Sequence, residues 1–256
     1  MRRSVRWGDL RAPELRELAA AKAAVIVPVA SIEQHGPHLP TFCDSLLAET
    51  VAVRAAERAR TPTVVTPCVW SGLSEHHMAL GATLTLDFPA FLALLGGVVG
   101  SLRRHGFERV LLLNGHGGNV AALKVVVEEL TRRLPDVRLV AATYWELAAD
   151  VMNPLLETQR SIRHACEAET SMVLALRPDL VDTDRFAEAA CPDARDQPEG
   201  REEASYRWVS FADKTPSGTL GDPRAASAEK GERLLELAAD RVAERIGDAS
   251  FWGLRA

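Results

Sequence analysis

Four short apolar runs, each followed by a polar stretch and then by a segment of helix length, constrain this chain more than any other feature. They are Ala23–Ala30 (AAVIVPVA), Thr63–Thr66 (TVVT), Val110–Leu113 (VLLL) and Val137–Ala142 (VRLVAA). The first three are too short for helices and continuous rather than alternating, which is the pattern of strands buried on both faces. Between the runs, Ser45–Ala59 places apolar residues at Leu46, Leu47, Val51 and Val53, Phe88–Arg104 has Pro89 in its first turn, and Val120–Arg133 is again helical. Strands alternating with helices of this length make βαβ units, hence an α/β protein with a parallel sheet covered on both sides. Past residue 150 a helix is expected from about Glu167 to Leu176, and the polar stretch Cys191–Ser205 reads as a surface excursion. A last amphipathic helix is expected to open at Asp222-Pro223, with Asp222 as N-cap, and to run to about Ile246. There is no internal repeat and no linker, so residues 1–256 are read as a single domain.

Composition excludes several function classes. With 47% hydrophobic and 25% charged residues the chain is an ordinary soluble one, long enough to bury about three quarters of its unfolded surface without staples. The net charge of −5 is spread with both signs mixed, so no basic nucleic-acid face and no polybasic membrane segment stands out. Residues Met1–Leu10 carry arginines but no apolar core of signal-peptide length, and no run approaches the ~20 residues of a membrane span. The expected location is the cytoplasm. Cys43, Cys68, Cys166 and Cys191 are scattered without CxxC spacing, so reduced thiols are expected rather than disulfides or a zinc knuckle.

Residues with metal-binding chemistry follow the predicted strands, where open parallel sheets bind their ligands. The first group is Glu33-Gln34-His35, with His38 and Asp44 further on. Residues two apart in extended chain face the same side, so Glu33 and His35 can share a cavity, to which Asp44 can return a carboxylate. Mixed carboxylate and imidazole donors suit zinc, manganese or iron. A blander alternative makes Asp44 only the cap of the next helix. The second group, Asn114-Gly115-His116-Gly117-Gly118-Asn119, sets three glycines around a histidine at a strand end. Such a turn lets backbone pass close to a ligand; a phosphate is the rival occupant, but neither GxGxxG nor GxxxxGK[ST] is present. In the third, His164-Ala165-Cys166-Glu167-Ala168-Glu169, the acids can equally be partners of a helix dipole, and no base is assigned to Cys166 as a nucleophile. Ser74-Glu75-His76-His77 should reach the same rim, Lys214–Gly218 reads as a turn, and Trp145 and Trp208 are candidate pocket walls.

Taken together, these stretches resemble the creatininase family of amidohydrolases. The motifs are Ser31–Pro40 (SIEQHGPHLP) with Asp44, Asn114–Asn119 (NGHGGN), His164–Ser171, and Pro216-Ser217-Gly218 … Gly221-Asp222-Pro223 … Ala228-Glu229-Lys230-Gly231, in order over almost the whole chain. The resemblance implies a three-layer α/β/α sandwich and two divalent cations per chain, zinc or manganese and sometimes iron. It also implies assembly into homo-oligomers, often hexamers. Carried over by motif, Glu33 and His116 hold one metal, His35 the second, and Asp44 bridges them, while His164 moves protons. Creatinine-hydrolysing members have a glutamate where this chain has Gly118, so Glu169 is expected to supply that carboxylate and to share in catalysis. Cys43 and Cys166 replace the family's usual hydroxyl residue and glycine. Ser74, Glu75, His76, Gly117, Gly118 and Asn119 are expected to contact substrate.

The expected reaction is hydrolysis of a small molecule's C–N bond, in a cyclic amide, lactam or formamide, by a metal-activated hydroxide. A peptidase, a cyclic-ketone or lactone hydrolase, a non-catalytic protein keeping the scaffold and a phosphate-binding protein stay open as alternatives.

Overall fold

The computed structural model describes residues 4–191 and 206–253. Its strands are β1 (Ala24–Val29), β2 (Thr63–Val65), β3 (Arg109–Asn114) and β4 (Arg138–Thr143). They form one wholly parallel sheet in the order β2-β1-β3-β4. The longer helices are α1 (Ala12–Ala20), α2 (Cys43–Arg58), α3 (Phe88–Arg104) and α4 (Val120–Arg133). After β4 come two short turns of helix, α5 (Tyr144–Leu147) and α6 (Ala149–Met152), then α7 (Glu167–Leu176). Two further short helices, α8 (Phe186–Ala189) and α9 (Phe211–Lys214), precede α10 (Ala228–Gly247).

The strands are apolar throughout because each face of the sheet meets its own core. Along β1 and β3, Ala24, Ile26, Leu111 and Leu113 face one side with α2, α7 and α10, whereas Val25, Val27, Val29, Val110 and Leu112 face the other with α1, α3 and α4. This period-of-two division makes three layers, α/β/α. Between α7 and α10 the approach is so close that a Cβ at Gly231 would run into the backbone of Ser171 and Met172, so only glycine fits there.

One expectation is corrected and one helix is added. Asp222 does not cap the last long helix: its side chain accepts from Arg224 N–H (3.0 Å) and caps a separate turn, Pro223–Ala225. Extended backbone at Ala226 interrupts the path, and α10 starts at Ala228 with Ser227 as N-cap. Helix α1 was not expected; Pro13 in its first turn and the Glu14 carboxylate returning to the Arg11 N–H (2.9 Å) account for it. The excursion expected at Cys191–Ser205 falls, beyond Cys191, outside the described residues. No helix among the described residues is long and apolar enough to cross a membrane.

Candidate metal centre

Strand order fixes where chemistry can gather. From β1 the chain crosses to β2 on one side, then returns past β1 to β3 on the other, leaving a crevice at the carboxyl ends of β1 and β3. Val29 and Asn114 are register partners, so the loops after both strands start at the same level. Glu33 and His35 lie on the first loop and His116 on the second. Asp44 and Glu169 enter from the first turns of α2 and α7, which pack on the same face of the sheet. Asp44 is not the N-cap of α2; that position is Phe42, and the Asp44 side chain turns inward instead.

Glu33, His35, Asp44, His116 and Glu169 are all buried, and their donor atoms form two adjoining groups. In one, His116 Nδ1 lies 3.1 Å from both Glu33 Oε2 and Asp44 Oδ2. In the other, His35 Nε2 lies 3.0 Å from Asp44 Oδ1 and 3.9 Å from Glu169 Oε2, with His164 adjoining. Asp44 therefore presents one oxygen to each group. Glu33 does more than serve its own group. Its Oε2 accepts from Ser74 Oγ–H at 2.7 Å, and its Oε1 faces His77 Nε2 and His164 Nδ1, both at 3.3 Å.

Several neighbours set the donors' directions. The Asn114 amide donates to the His116 carbonyl (2.8 Å) while its oxygen accepts from His116 N–H (3.1 Å). The Gln34 amide nitrogen donates to the Gly218 carbonyl at 3.1 Å and lies 2.8 Å from His77 Nδ1. His164 Nε2 lies 2.8 Å from the Gln34 carbonyl, to which it donates, leaving the Nδ1 lone pair facing the cluster. Ala165 holds a left-handed φ of 52°, which turns its N–H onto Glu169 Oε2 at 2.5 Å.

The electrostatics of these groups call for a cation. Burial would depress His116, yet the facing Glu33 and Asp44 carboxylates raise it to about 10. His35 behaves likewise: burial opposes its charge, and Cys43 and Asp44 overcome that opposition. Burial, with Asp44 and Glu33 nearby, pushes Glu169 up to about 8 despite the pull of His35. Asp44 goes the other way, held well below the usual range because His35 and His116 outweigh its burial. One of its buried oxygens, Oδ2, has no hydrogen bond. Three buried carboxylates beside imidazole nitrogens, with an acceptor left unbonded, are the donor set a divalent ion satisfies. The residues present fit such ions.

Other predicted positions are sorted by the structure. Ser74 and Asn119, expected at the substrate, are buried and hydrogen-bonded within the protein. Ser74 holds Glu33, while Asn119 accepts from Leu73 N–H (3.0 Å) and donates to the Ala30 carbonyl (3.2 Å), bracing the loops of the rim. Glu75 is exposed, and His76 is partly exposed with its ring stacked on His116 at 5.7 Å. Gly117 borders open space, whereas a Cβ at Gly118 would collide with the Leu73 carbonyl and His116 Nε2. A carboxylate at 118 would thus need the rim to move, and Glu169 is the acid that reaches the second group. His38 lies 2.9 Å from Thr170 Oγ1 and is kept neutral by burial, its pKa falling to about 4. Cys166 is a buried thiol pushed up to about 11 by burial, so it offers no nucleophilic thiolate. Trp145 packs against the core and Trp208 is exposed.

Sequence reasoning gave no separate role to His77 or Phe211, which complete the cluster. The Phe211 ring lies 4.1 Å from His77 and 4.8 Å from His164, closing the histidines from above. The signal for His77 was present in the HH pair after β2; nothing local marks Phe211.

Comparison with known proteins agrees with this geometry. The sequence profile of the creatininase family, described as creatinine amidohydrolase, matches residues 8–246. The creatinine amidohydrolase of Pseudomonas putida is 31% identical, covering 96% of this chain and 97% of that protein. A mycofactocin precursor peptide peptidase of Mycolicibacterium smegmatis is 33% identical over 90% of this chain and 87% of its own length. A 3-dehydro-scyllo-inosose hydrolase of Thermotoga maritima is 27% identical, over 92% and 80%. Among solved structures, creatinine amidohydrolase superposes with a TM-score of 0.81 at 30% identity, covering 96% of this chain and 98% of that one. A manganese creatininase gives 0.80 at 30% identity (95% and 98%) and a zinc–zinc mutant form 0.76 at 29% (96% and 98%).

Proposed function

Because the chain belongs to the creatininase family, we propose that it is a metal-dependent amidohydrolase that cleaves a C–N bond in a small cyclic amide, lactam or formamide. Glu33, Asp44 and His116 would hold one divalent ion, and His35, Asp44 and Glu169 a second, zinc or manganese. The observation that carries this reading is the placement of Asp44, with one oxygen on His35 and the other beside His116. When bound, such ions supply Lewis acidity, polarising a carbonyl and making water nucleophilic near neutral pH.

The chain's own residues would do the rest. His164, whose Nε2 is held by the Gln34 carbonyl and whose Nδ1 faces the cluster, would carry the proton to the leaving nitrogen; burial and the surrounding histidines hold its pKa well below normal, so it is neutral before the reaction. Gln34 keeps its ring in place. Ser74 and Asn114 fix Glu33 and His116, so the donors need little reorganisation on binding. Phe211 excludes water from the histidine side.

Metal analysis with Asp44→Asn tests the proposal. The purified protein should contain about two divalent ions per chain, and the variant should lose both along with amidase activity. Activity that survives exhaustive chelation would defeat the scheme.

A peptidase reading is favoured by the 33% identity to the mycofactocin precursor peptide peptidase. Cleavage of peptide amides with no turnover of small cyclic ones would establish it. We also propose that copies of the chain assemble. Exposed Trp70, Met78 and Leu84 on the stretch between β2 and α3 support this, and light scattering measures it.

A further inference from the structure

Helix α9 packs over the turn Glu75–Leu80, which carries His76 and His77. Its first residue, Phe211, is buried against the histidines, and its last, Lys214, is exposed, with Nζ over the Phe211 ring 5.6 Å from its centre. The Lys214 ammonium thus stands one phenyl ring away from His77 and His164. Its charge is one of the influences that depress His76, after burial and His116, so it acts within the field of the cluster.

Lys214 has no carboxylate partner among the described residues. Lys22 and Lys230 are paired, with Glu108 and with Glu157 and Glu167, whereas Lys124 and Lys214 have no such partner among the described residues, and of these two only Lys214 lies over the ring that covers the histidines. Neighbouring protein also desolvates Lys214 enough to lower its pKa, and no acid raises it again. An exposed ammonium held over an aromatic ring beside the histidines, with no carboxylate of its own among the described residues, is placed to meet an anion from outside.

We propose that Lys214 is a specificity-determining residue that binds a carboxylate on the substrate, attached a few atoms from the scissile amide. The intervening atoms lie against Phe211. One unpaired ammonium balances one unit of charge, which favours a carboxylate over a phosphate. The inference rests on the amidohydrolase reading for the identity of the reacting bond, and the substrate class becomes amides or lactams of carboxylic acids.

The test compares matched pairs on the metal-replete full chain: 5-oxoproline against 2-pyrrolidinone, and N-formylglycine against N-methylformamide. Turnover is measured for wild type, Lys214→Met and Lys214→Arg, and binding is measured by calorimetry. Wild type should prefer the acid of each pair by about tenfold, through KM rather than kcat, and the preference should weaken with added salt. Lys214→Met should erase the preference of acid over neutral partner in KM, and Lys214→Arg should restore most of it. Equal binding of acid and neutral partner by wild type, or a preference that survives Lys214→Met, overturns the assignment. Tighter binding of N-phosphonomethylformamide than of N-formylglycine overturns the choice of carboxylate. Binding is read whether or not either partner turns over, so failure of all four compounds to react counts against the amidohydrolase reading and leaves the lysine result standing.

Discussion

Glu167 and Glu169 stand two residues apart in the first turn of α7, both buried, and meet opposite surroundings. Glu167 accepts from Thr158 N–H (2.8 Å), Thr158 Oγ–H (2.6 Å) and Glu157 N–H (3.1 Å), and pairs with the Lys230 ammonium. Burial opposes its charge, but these partners hold its pKa below the usual range. Glu169 accepts only the Ala165 N–H among the described residues, and burial among other acids raises it to about 8. A buried carboxylate whose needs the protein meets is a structural pin, here tying the loop at Thr158 and helix α10 to α7. One left under-satisfied beside histidines is a place for an ion the protein must recruit. Helical geometry alone separates them, since positions two apart project to different sides of α7.

The sharpest way to break this contrast is Glu169→Gln. It should remove one of the two bound metals and cost on the order of 10³-fold in kcat. The melting temperature of the metal-free protein should hold or rise, because the cost of burying a carboxyl that must take up a proton to fold is gone. Unchanged metal content in this variant would show that the two glutamates do not differ in kind. Glu167→Gln should do the reverse. Removing one partner of a buried pair destabilises by about 3 kcal/mol, read in denaturant melts, while activity per folded molecule stays within a few-fold. A loss of kcat without loss of stability would move Glu167 into the working part of the site.

The smallest effect is a difference in pH dependence of the metal-free protein. Glu167 has a folded pKa below its unfolded value of 4.5, so its contribution is present above pH 4.5 and is lost as the pH falls through the folded value. Glu169 is raised from 4.5 to about 8, so it favours folding fully only below 4.5 and loses that contribution as the pH rises to about 8. Melting curves of Glu169→Gln should therefore fall less steeply over that interval, and those of Glu167→Gln should change only on the acid side. Identical slopes in both variants would mean that the environments are equivalent.

Much of this was legible beforehand. Apolar runs as continuous as VLLL can only be strands covered on both faces, and the groups at Glu33, Asn114 and His164 follow their elements in an order that marks the family. The ends of α3, α4 and α7 matched because Pro89 and the periodicity act locally. Asp222 misled because an aspartate before proline caps a single turn as readily as a long helix. That Ser74 and Asn119 brace the wall was not legible, because a polar side chain near a site can face a ligand or hold its neighbours, and chain position does not distinguish the two.

The order of residue types along the chain determined the layered α/β architecture, the family and the kinds of donor available. Tertiary structure alone decided that Asp44 faces two groups at once, that Glu169 rather than position 118 reaches the second, and that Phe211 and Lys214 come to the mouth from a distant part of the chain. The reason is range: strand and helix patterns arise from neighbours a few residues apart, whereas burial, charge compensation and convergence depend on which elements the sheet order sets side by side.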